Sequence, residues 1–198
     1  MGEGAKRVTV IAPAPSLQDG WPLGPRAMID LRPATPDDVP ALARLGRESF
    51  RAAFEPLYDP ADLAAFLRDV YADAVVAREV ADARFIHRLA WQGAELAGFC
   101  KLEAPSPYAA HSDALRPLAL GQLYTDPART GQGVGALLMD WALGHAPGAG
   151  HDAVQLSVYC DNTGAQRFYA RYGFRKIADI DFWVGGHRDD EFLLEKRL

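Results

Sequence analysis

Three glycines at alternate positions, Gly131, Gly133 and Gly135, lie in the segment RTGQGVGALL (129–138), directly before a run of leucines. Glycine has no Cβ atom, so such a segment can turn tightly and bring its backbone close to a ligand. The N–H groups left free at a helix N-terminus suit phosphate oxygens. A surface turn with positive φ angles would explain one or two of these glycines, but three at this spacing favour an anion-binding loop.

Two kinds of cofactor fit this loop. The stretch GQGVGA (131–136) satisfies the dinucleotide fingerprint G-x-G-x-x-G/A, and it also satisfies the looser Q/R-x-x-G-x-G/A signature of acetyl-CoA-binding enzymes. A P-loop is excluded, because the sequence contains no G-x-x-x-x-G-K-[ST].

The dinucleotide interpretation has one point in its favour and two against it. Asp161 follows the next predicted strand, roughly where a ribose-binding acid belongs. However, residues 126–130 separate the strand LALGQLYT from Gly131, whereas the dinucleotide-binding turn follows its strand almost directly. The motif also begins at position 131 of 198, which leaves too little chain for a doubly wound sheet.

The elements around the loop predict one α/β domain with a mixed sheet. The first helix is predicted to begin at Thr35, Pro36 and Asp38. The helix that follows the glycine loop is predicted to end at Gly144. Apolar periodicity predicts strands at 28–33, 84–92, 95–103, 118–125, 152–160, 174–184 and 191–198, and helices at 35–54, 59–72, 133–143 and 161–173.

Composition and charge exclude several functions. The net charge of −5 and the lack of a basic patch argue against a nucleic-acid partner. No apolar run approaches the roughly 20 residues that span a bilayer. With only Cys100 and Cys160, and no histidine cluster among five histidines, we expect a cytoplasmic protein without a metal. Residues 1–27, rich in glycine and proline, are expected to form a flexible extension to a domain at 28–198.

A second pattern follows the glycine loop, and it consists of Asn162, Ala165, Phe168-Tyr169 and Gly173-Phe174. Together with the loop, it resembles the GNAT superfamily of N-acetyltransferases. The resemblance implies a mostly antiparallel mixed sheet, flanked by helices, with a V-shaped splay between two central parallel strands. More weakly, SFRAAF, DPADLAAFL and the C-terminal FWVGGHRDDEFLLEKRL are similar to the bacterial spermine/spermidine acetyltransferase subgroup.

The resemblance assigns roles to individual residues. The backbone of the strand end would bind the pantetheine arm of acetyl-CoA, the glycine loop its pyrophosphate, and Asn162 the CoA arm. Tyr169 occupies the position of the general acid that protonates the departing thiolate. The implied cofactor-binding residues are Leu123, Tyr124, Thr125, Arg129, Thr130, Gly131, Gln132, Gly133, Val134, Gly135, Ala136 and Asn162. Thr130 departs from the family pattern, in which glutamine or arginine is typical.

The general base is not identified by the sequence. Many relatives carry a glutamate on the strand before the loop, where this chain has Gly121. A water chain, Glu55 or Tyr58 could remove the proton instead. Four acidic residues near the junction of the first two helices could attract an amine, although such acids are more often a solvated surface: Glu48, Glu55, Asp59 and Asp62.

The sequence therefore predicts an acetyl-CoA-dependent N-acetyltransferase that acts by direct attack on a primary amine, such as a polyamine or similar small amine. Two alternatives stay open: an acetyltransferase for protein N-termini or lysines, and a regulatory module that binds acetyl-CoA without turnover. A homodimer also stays open, and no membrane partner is expected.

Overall fold

One seven-stranded sheet carries the fold, with its strands in the order β1-β2-β3-β4-β5-β7-β6. The structure is a computed structural model that describes residues 28–198, so the extension predicted at 1–27 lies outside the described residues. The strands are β1 (Ile29–Pro33), β2 (Phe85–Gln92), β3 (Glu95–Glu103), β4 (Pro117–Thr125), β5 (Ala153–Tyr159), β6 (Arg175–Val184) and β7 (His187–Arg197). The helices are α1 (Val39–Phe54), α2 (Pro60–Tyr71), α3 (Asp73–Ala81), α4 (Val134–Gly148) and α5 (Thr163–Arg171).

The sheet is antiparallel except between β4 and β5, which pair in parallel. Their ladder has only three rungs and ends at Ala119↔Gln155, although β4 continues to Thr125 and β5 to Tyr159. The two strands therefore diverge, and we call the gap between residues 120–125 and 156–159 the β4–β5 opening. This confirms the expected splay and is inconsistent with a doubly wound parallel sheet.

Helices cover both faces of the sheet. The first three pack on one face, where α1 and α2 form an aromatic core with residues such as Phe50 and Phe66. On the other face, α4 and α5 pack over the apolar side chains of β3, β4 and β5. The β4–β5 opening therefore lies between two separate apolar clusters.

Three sequence predictions of secondary structure are corrected by the structure. Helix α3 was not predicted, because only Val76 of its nine residues is buried and it shows no clear apolar stripe. Helix α4 does not end at Gly144 but continues to Gly148, and Leu137, one of the leucines after the glycine loop, is 41% exposed. Strand β7 begins at His187 rather than at residue 191.

Gly98 on β3 permits the close approach of β4 and α4. A Cβ atom at this position would lie 2.7 Å from the Tyr124 carbonyl oxygen and 2.8 Å from Cγ1 of Val134. Both neighbours belong to segments that border the β4–β5 opening, and the carbonyl is backbone that cannot move away cheaply. The lack of a side chain at Gly98 therefore allows the end of β4 and the start of α4 to pack closely against β3.

We expect Gly98→Ala to lower the melting temperature by about 2 to 12 °C, because overpacking costs about 1–3 kcal/mol and each kcal/mol shifts a domain of this size by about 2–4 °C. Gly121→Ala is the matched control, since its Cβ would meet only atoms of Lys101, at 3.7 Å. Thermal unfolding followed by circular dichroism measures both. Equal melting temperatures for the two variants would contradict the packing role of Gly98.

Candidate functional site

The glycine loop has the backbone that the sequence predicts. Gly131 and Gly133 adopt φ angles of 82° and 87°, in the left-handed region that favours glycine, and α4 starts at Val134. The Leu137 N–H donates to the Gly133 carbonyl at 3.1 Å. The N–H groups of the helix's first turn, which precede Leu137, have no carbonyl of their own helix to bond. The loop and the helix N-terminus thus form a cradle suited to phosphate oxygens.

The end of β4 supplies a free strand edge next to this cradle. The side chains of Leu123 and Tyr124 are fully buried, and that of Thr125 is nearly so. Among the described residues, β4 has no strand partner on the β5 side beyond Ala119. The Thr125 carbonyl already accepts a hydrogen bond from the Ser49 hydroxyl at 3.3 Å. The part of the edge between Ala119 and Thr125 can still pair with an extended ligand, the role that the family resemblance implies for the pantetheine arm.

The side chains of the loop are largely engaged within the protein. Arg129 Nε lies 3.1 Å from Asp126, and Arg129 Nη1 donates to Gln92. The Thr130 hydroxyl donates to the Pro127 carbonyl at 3.1 Å. Gln132 is exposed. Because the carboxylate of Asp126 partly compensates the charge of Arg129, the cradle's attraction for an anion comes mainly from the backbone N–H groups.

Helix α5 is fixed at both ends. Asn162 Oδ1 accepts a hydrogen bond from the Ala165 N–H at 3.0 Å, so this residue is the N-cap of the helix. At the other end, the Tyr172 hydroxyl donates to the Ala136 carbonyl of α4 at 3.3 Å. The first bond caps α5, and the second ties the end of α5 to α4, which follows the glycine loop.

Tyr169 is fully buried, and its hydroxyl has no hydrogen-bond partner among the described residues. The hydroxyl lies close enough to Tyr124 on β4 and Glu191 on β7 to interact with them electrostatically. Burial raises the pKa of Tyr169 well above its usual value, so the hydroxyl keeps its proton. A buried hydrogen-bond donor without an acceptor raises the free energy of the folded protein, unless a ligand accepts its hydrogen bond. Tyr169 is therefore placed to donate to a group in the β4–β5 opening.

The residues that the sequence offers as general bases are poorly suited to that role. Gly121, at the position where many relatives carry a glutamate, has no side chain that could act as a base. It lies at an irregularity of β4, where the pairing with β3 changes from Lys101↔Gln122 to Leu102↔Leu120. The Tyr58 hydroxyl donates to Asp189, and burial raises its pKa, so it retains its proton. Glu55 is exposed.

The four acids near the first two helices have ordinary surroundings. Glu48 and Glu55 are exposed. Asp59 caps α2 by accepting a hydrogen bond from Ala61 at 2.8 Å, and Asp62 accepts one from Gly186 at 3.2 Å. At least two of these carboxylates therefore have structural roles.

Two buried carboxylates that the sequence analysis missed lie on β7. Asp189 and Glu191 are each 3% exposed. Burial raises the pKa of Glu191 to about 7, aided by the charge of Asp189 and opposed by a hydrogen bond with Ser157. Burial also raises the pKa of Asp189, whose Oδ1 lies 3.2 Å from Nε2 of His187. The alternating acids of HRDDEFLLEKR were the available signal, since they share one face of the strand.

Neither a metal site nor a membrane span emerges from residues 28–198. Within this range, no three His, Cys, Asp or Glu side chains are grouped to hold a metal ion. None of the helices in the same range combines the length and the hydropathy needed to cross a bilayer.

Comparisons with known sequences agree on one family. The sequence profile described as the Acetyltransferase (GNAT) family matches residues 42–174. An uncharacterized N-acetyltransferase of Lactobacillus delbrueckii subsp. lactis is 27% identical over 164 residues, which cover 81% of this chain and 92% of that protein. An uncharacterized N-acetyltransferase of Mycobacterium tuberculosis is 28% identical over 161 residues, covering 81% and 98% respectively.

A solved structure shares the fold. The PaiA N-acetyltransferase from Thermoplasma acidophilum, crystallised in complex with coenzyme A, superposes with a TM-score of 0.71 at 22% identity. The match covers 86% of this chain and 99% of that protein.

Proposed function

This chain belongs to the acetyltransferase (GNAT) family, and we propose that it transfers the acetyl group of acetyl-CoA directly to a primary amine, specifically a polyamine or a similar small amine. The observation that carries this proposal is the buried, unpartnered hydroxyl of Tyr169 beside the β4–β5 opening. A proton donor at that position suits a reaction in which a thiolate departs.

Acetyl-CoA would bind across the glycine loop and the free edge of β4. The N–H groups at the start of α4 would hold the pyrophosphate, helped by the positive end of the helix dipole. The backbone of Leu123 and Tyr124, which has no strand partner on the β5 side, would pair with the pantetheine arm in the manner of a neighbouring strand. This placement brings the thioester towards Tyr169, at the point where β4 and β5 diverge.

Transfer by direct attack needs no nucleophilic side chain on the enzyme. Cys160 is the thiol nearest in sequence to α5, and burial raises its pKa above the usual value, which disfavours the nucleophilic thiolate. The acceptor nitrogen would therefore attack the thioester carbonyl itself, and the Tyr169 hydroxyl would give its proton to the thiolate.

The opposite face of the opening supports a cationic acceptor. Asp189 and Glu191 are buried there, beside the aromatic side chains of Tyr58 and Tyr159. Carboxylates and aromatic faces both attract ammonium groups. The weak sequence similarity to spermine/spermidine acetyltransferases points in the same direction.

An amine panel tests this proposal. The enzyme is mixed with acetyl-CoA and, separately, with spermidine, putrescine, free lysine and a short peptide, and free CoA thiol is measured. We expect thiol release above the hydrolysis background with the polyamines. Release with the peptide alone would favour a protein acetyltransferase. Acetyl-CoA binding by calorimetry with no release for any amine would favour a regulatory module.

A further inference from the structure

We infer that Glu191 is the general base that takes a proton from the acceptor amine, in the role that Gly121 cannot fill. The inference rests on the proposed function, because it concerns a step of the same reaction. Four features of the structure support it: the position of Glu191 in the sheet, the face of the sheet to which it points, the groups around it and its titration.

Glu191 lies beside the β4–β5 opening. On β7 it pairs with Tyr159 of β5, and its carboxyl group is hydrogen-bonded to the Ser157 side chain. Ser157 is two residues beyond Gln155, the last residue of β5 that pairs with β4. The carboxyl group is therefore next to the part of β5 that has separated from β4.

Glu191 also lies on the face of the sheet opposite the glycine loop. Its neighbours Phe192 and Leu194 pack into the apolar cluster beneath α4 and α5. Because side chains alternate along a strand, Glu191 points to the other face, together with Asp189. An acceptor that enters from that face would meet Glu191, whereas acetyl-CoA would approach from the loop side.

The ionisable groups around Glu191 come from several elements. Electrostatic interactions join its carboxyl to Tyr58 after α1, Tyr124 on β4, Tyr169 on α5 and Asp189 on its own strand. Tyr58, Tyr124 and Tyr169 all have raised pKa values and stay neutral at physiological pH. The base and the acid Tyr169 are therefore near each other across the opening.

The loop between β3 and β4 covers this region. The Tyr108 hydroxyl lies 3.4 Å from Ser157 Oγ, and the Ser106 hydroxyl donates to Gln155 at 2.6 Å. The loop thus shields Ser157 and its carboxyl partner from bulk water. Burial, aided by the charge of Asp189, raises the pKa of Glu191 to about 7, where a carboxylate is a stronger base than it is in water.

The proton transfers balance as follows. Glu191 accepts one proton from the ammonium group of the acceptor and later releases it to solvent. The neutral nitrogen forms a bond to the thioester carbonyl carbon, and the carbon–sulfur bond breaks. Tyr169 gives its proton to the departing sulfur and regains one from the nitrogen as the amide forms. The products are the acetylated amine, CoA thiol and one proton.

Glu191→Gln tests the inference, with Glu195→Gln as the matched control. Glu195 lies on the same face of β7, is 8% exposed and accepts a hydrogen bond from Gln155 at 2.9 Å. With the amine that gives the largest thiol release in the panel, we expect Glu191→Gln to lower kcat about 100-fold, the lower end of the usual effect of an acid or base. The control should keep kcat within about threefold, and neither variant should change the affinity for acetyl-CoA.

The pH profile separates a base from a structural residue. In the wild type, kcat/KM should fall below a midpoint near 7, because protonated Glu191 cannot accept a proton. The pH profile of Glu191→Gln should lack this acidic limb, and the profile of Glu195→Gln should keep it. A Glu191→Gln variant that retains the wild-type kcat and acidic limb would overturn the inference and leave the proposed function intact. A wild type that acetylates no amine would instead overturn the proposed function and, with it, this role of Glu191.

A readout without turnover is the titration of the carboxyl group itself. In protein labelled with ¹³C at the glutamate side-chain carboxyl, one resonance should titrate near pH 7 and be missing from Glu191→Gln. If the variant lacks only a resonance that titrates near the ordinary glutamate value of about 4.3, the assignment of Glu191 as the base is wrong.

Discussion

Tyr169→Phe is expected to lower kcat about 100-fold while leaving the dissociation constant of acetyl-CoA nearly unchanged. The substitution removes one hydroxyl and keeps the ring, whose contacts with Phe168 and Phe174 fix it in the core. Because that hydroxyl has no partner among the described residues, its loss breaks no internal hydrogen bond. Folding stability should therefore be preserved, and only the proton for the thiolate is lost.

The matched control for this experiment is Tyr172→Phe, three residues further along the chain. The Tyr172 hydroxyl, by contrast, has partners on α4, the Ala136 carbonyl and the Asp140 side chain, rather than in the opening. Steady-state kinetics should show a nearly normal kcat for Tyr172→Phe, and calorimetry should show normal acetyl-CoA binding for both variants. An undiminished kcat for Tyr169→Phe would remove Tyr169 as the acid.

Gly133→Ala is expected to weaken acetyl-CoA binding about tenfold. Gly133 has a φ of 87°, and the conformational free energy of an L-residue with a Cβ atom is about 1–2 kcal/mol higher there. The loop can avoid this strain only by changing its backbone, which turns the N–H groups at the start of α4 away from the phosphates. A loss of about 1.4 kcal/mol in binding corresponds to the tenfold change.

The matched control for backbone strain is Gly93→Ala in the turn between β2 and β3. Gly93 has a φ of 63°, and a Cβ atom there meets nothing within 4 Å. Both variants should lose a similar amount of stability in thermal unfolding, but only Gly133→Ala should lose affinity in calorimetry. Equal affinities would show that the conformation at Gly133 serves the turn rather than the ligand.

Local patterns in the sequence were sufficient to predict the cofactor side of the site. The glycine loop needs only alternate glycines followed by an apolar helix, and the structure gives Gly131 and Gly133 the expected positive φ angles. Asn162 and Tyr169 lie seven residues apart on one short helix, so their relation follows from helix geometry alone. The turn and the helix depend on neighbours in sequence, which is why spacing predicts them, whereas the roles of Asn162 and Tyr169 are what the family resemblance implies.

Two features depend on contacts between distant segments, which the sequence does not show. A Cβ atom at Gly46 in α1 would lie 2.6 Å from the Tyr71 ring, so the helix needs glycine for packing against α2. Arg129 is a predicted cofactor-binding residue, and in the structure Gln92 at the end of β2 and Asp126 engage its guanidinium.

The part of the site that we propose for the acceptor was decided by tertiary structure alone. Tyr58 and Asp189 are 131 positions apart in the sequence, and only the folded sheet brings them into a hydrogen bond. In the sequence, Glu191 is one of several acids in a polar strand near the C-terminus. The sheet order places β7 next to β5, and the short β4–β5 ladder opens the space beside it. Burial at that place, which no local pattern encodes, is what raises the pKa of an ordinary glutamate to about 7.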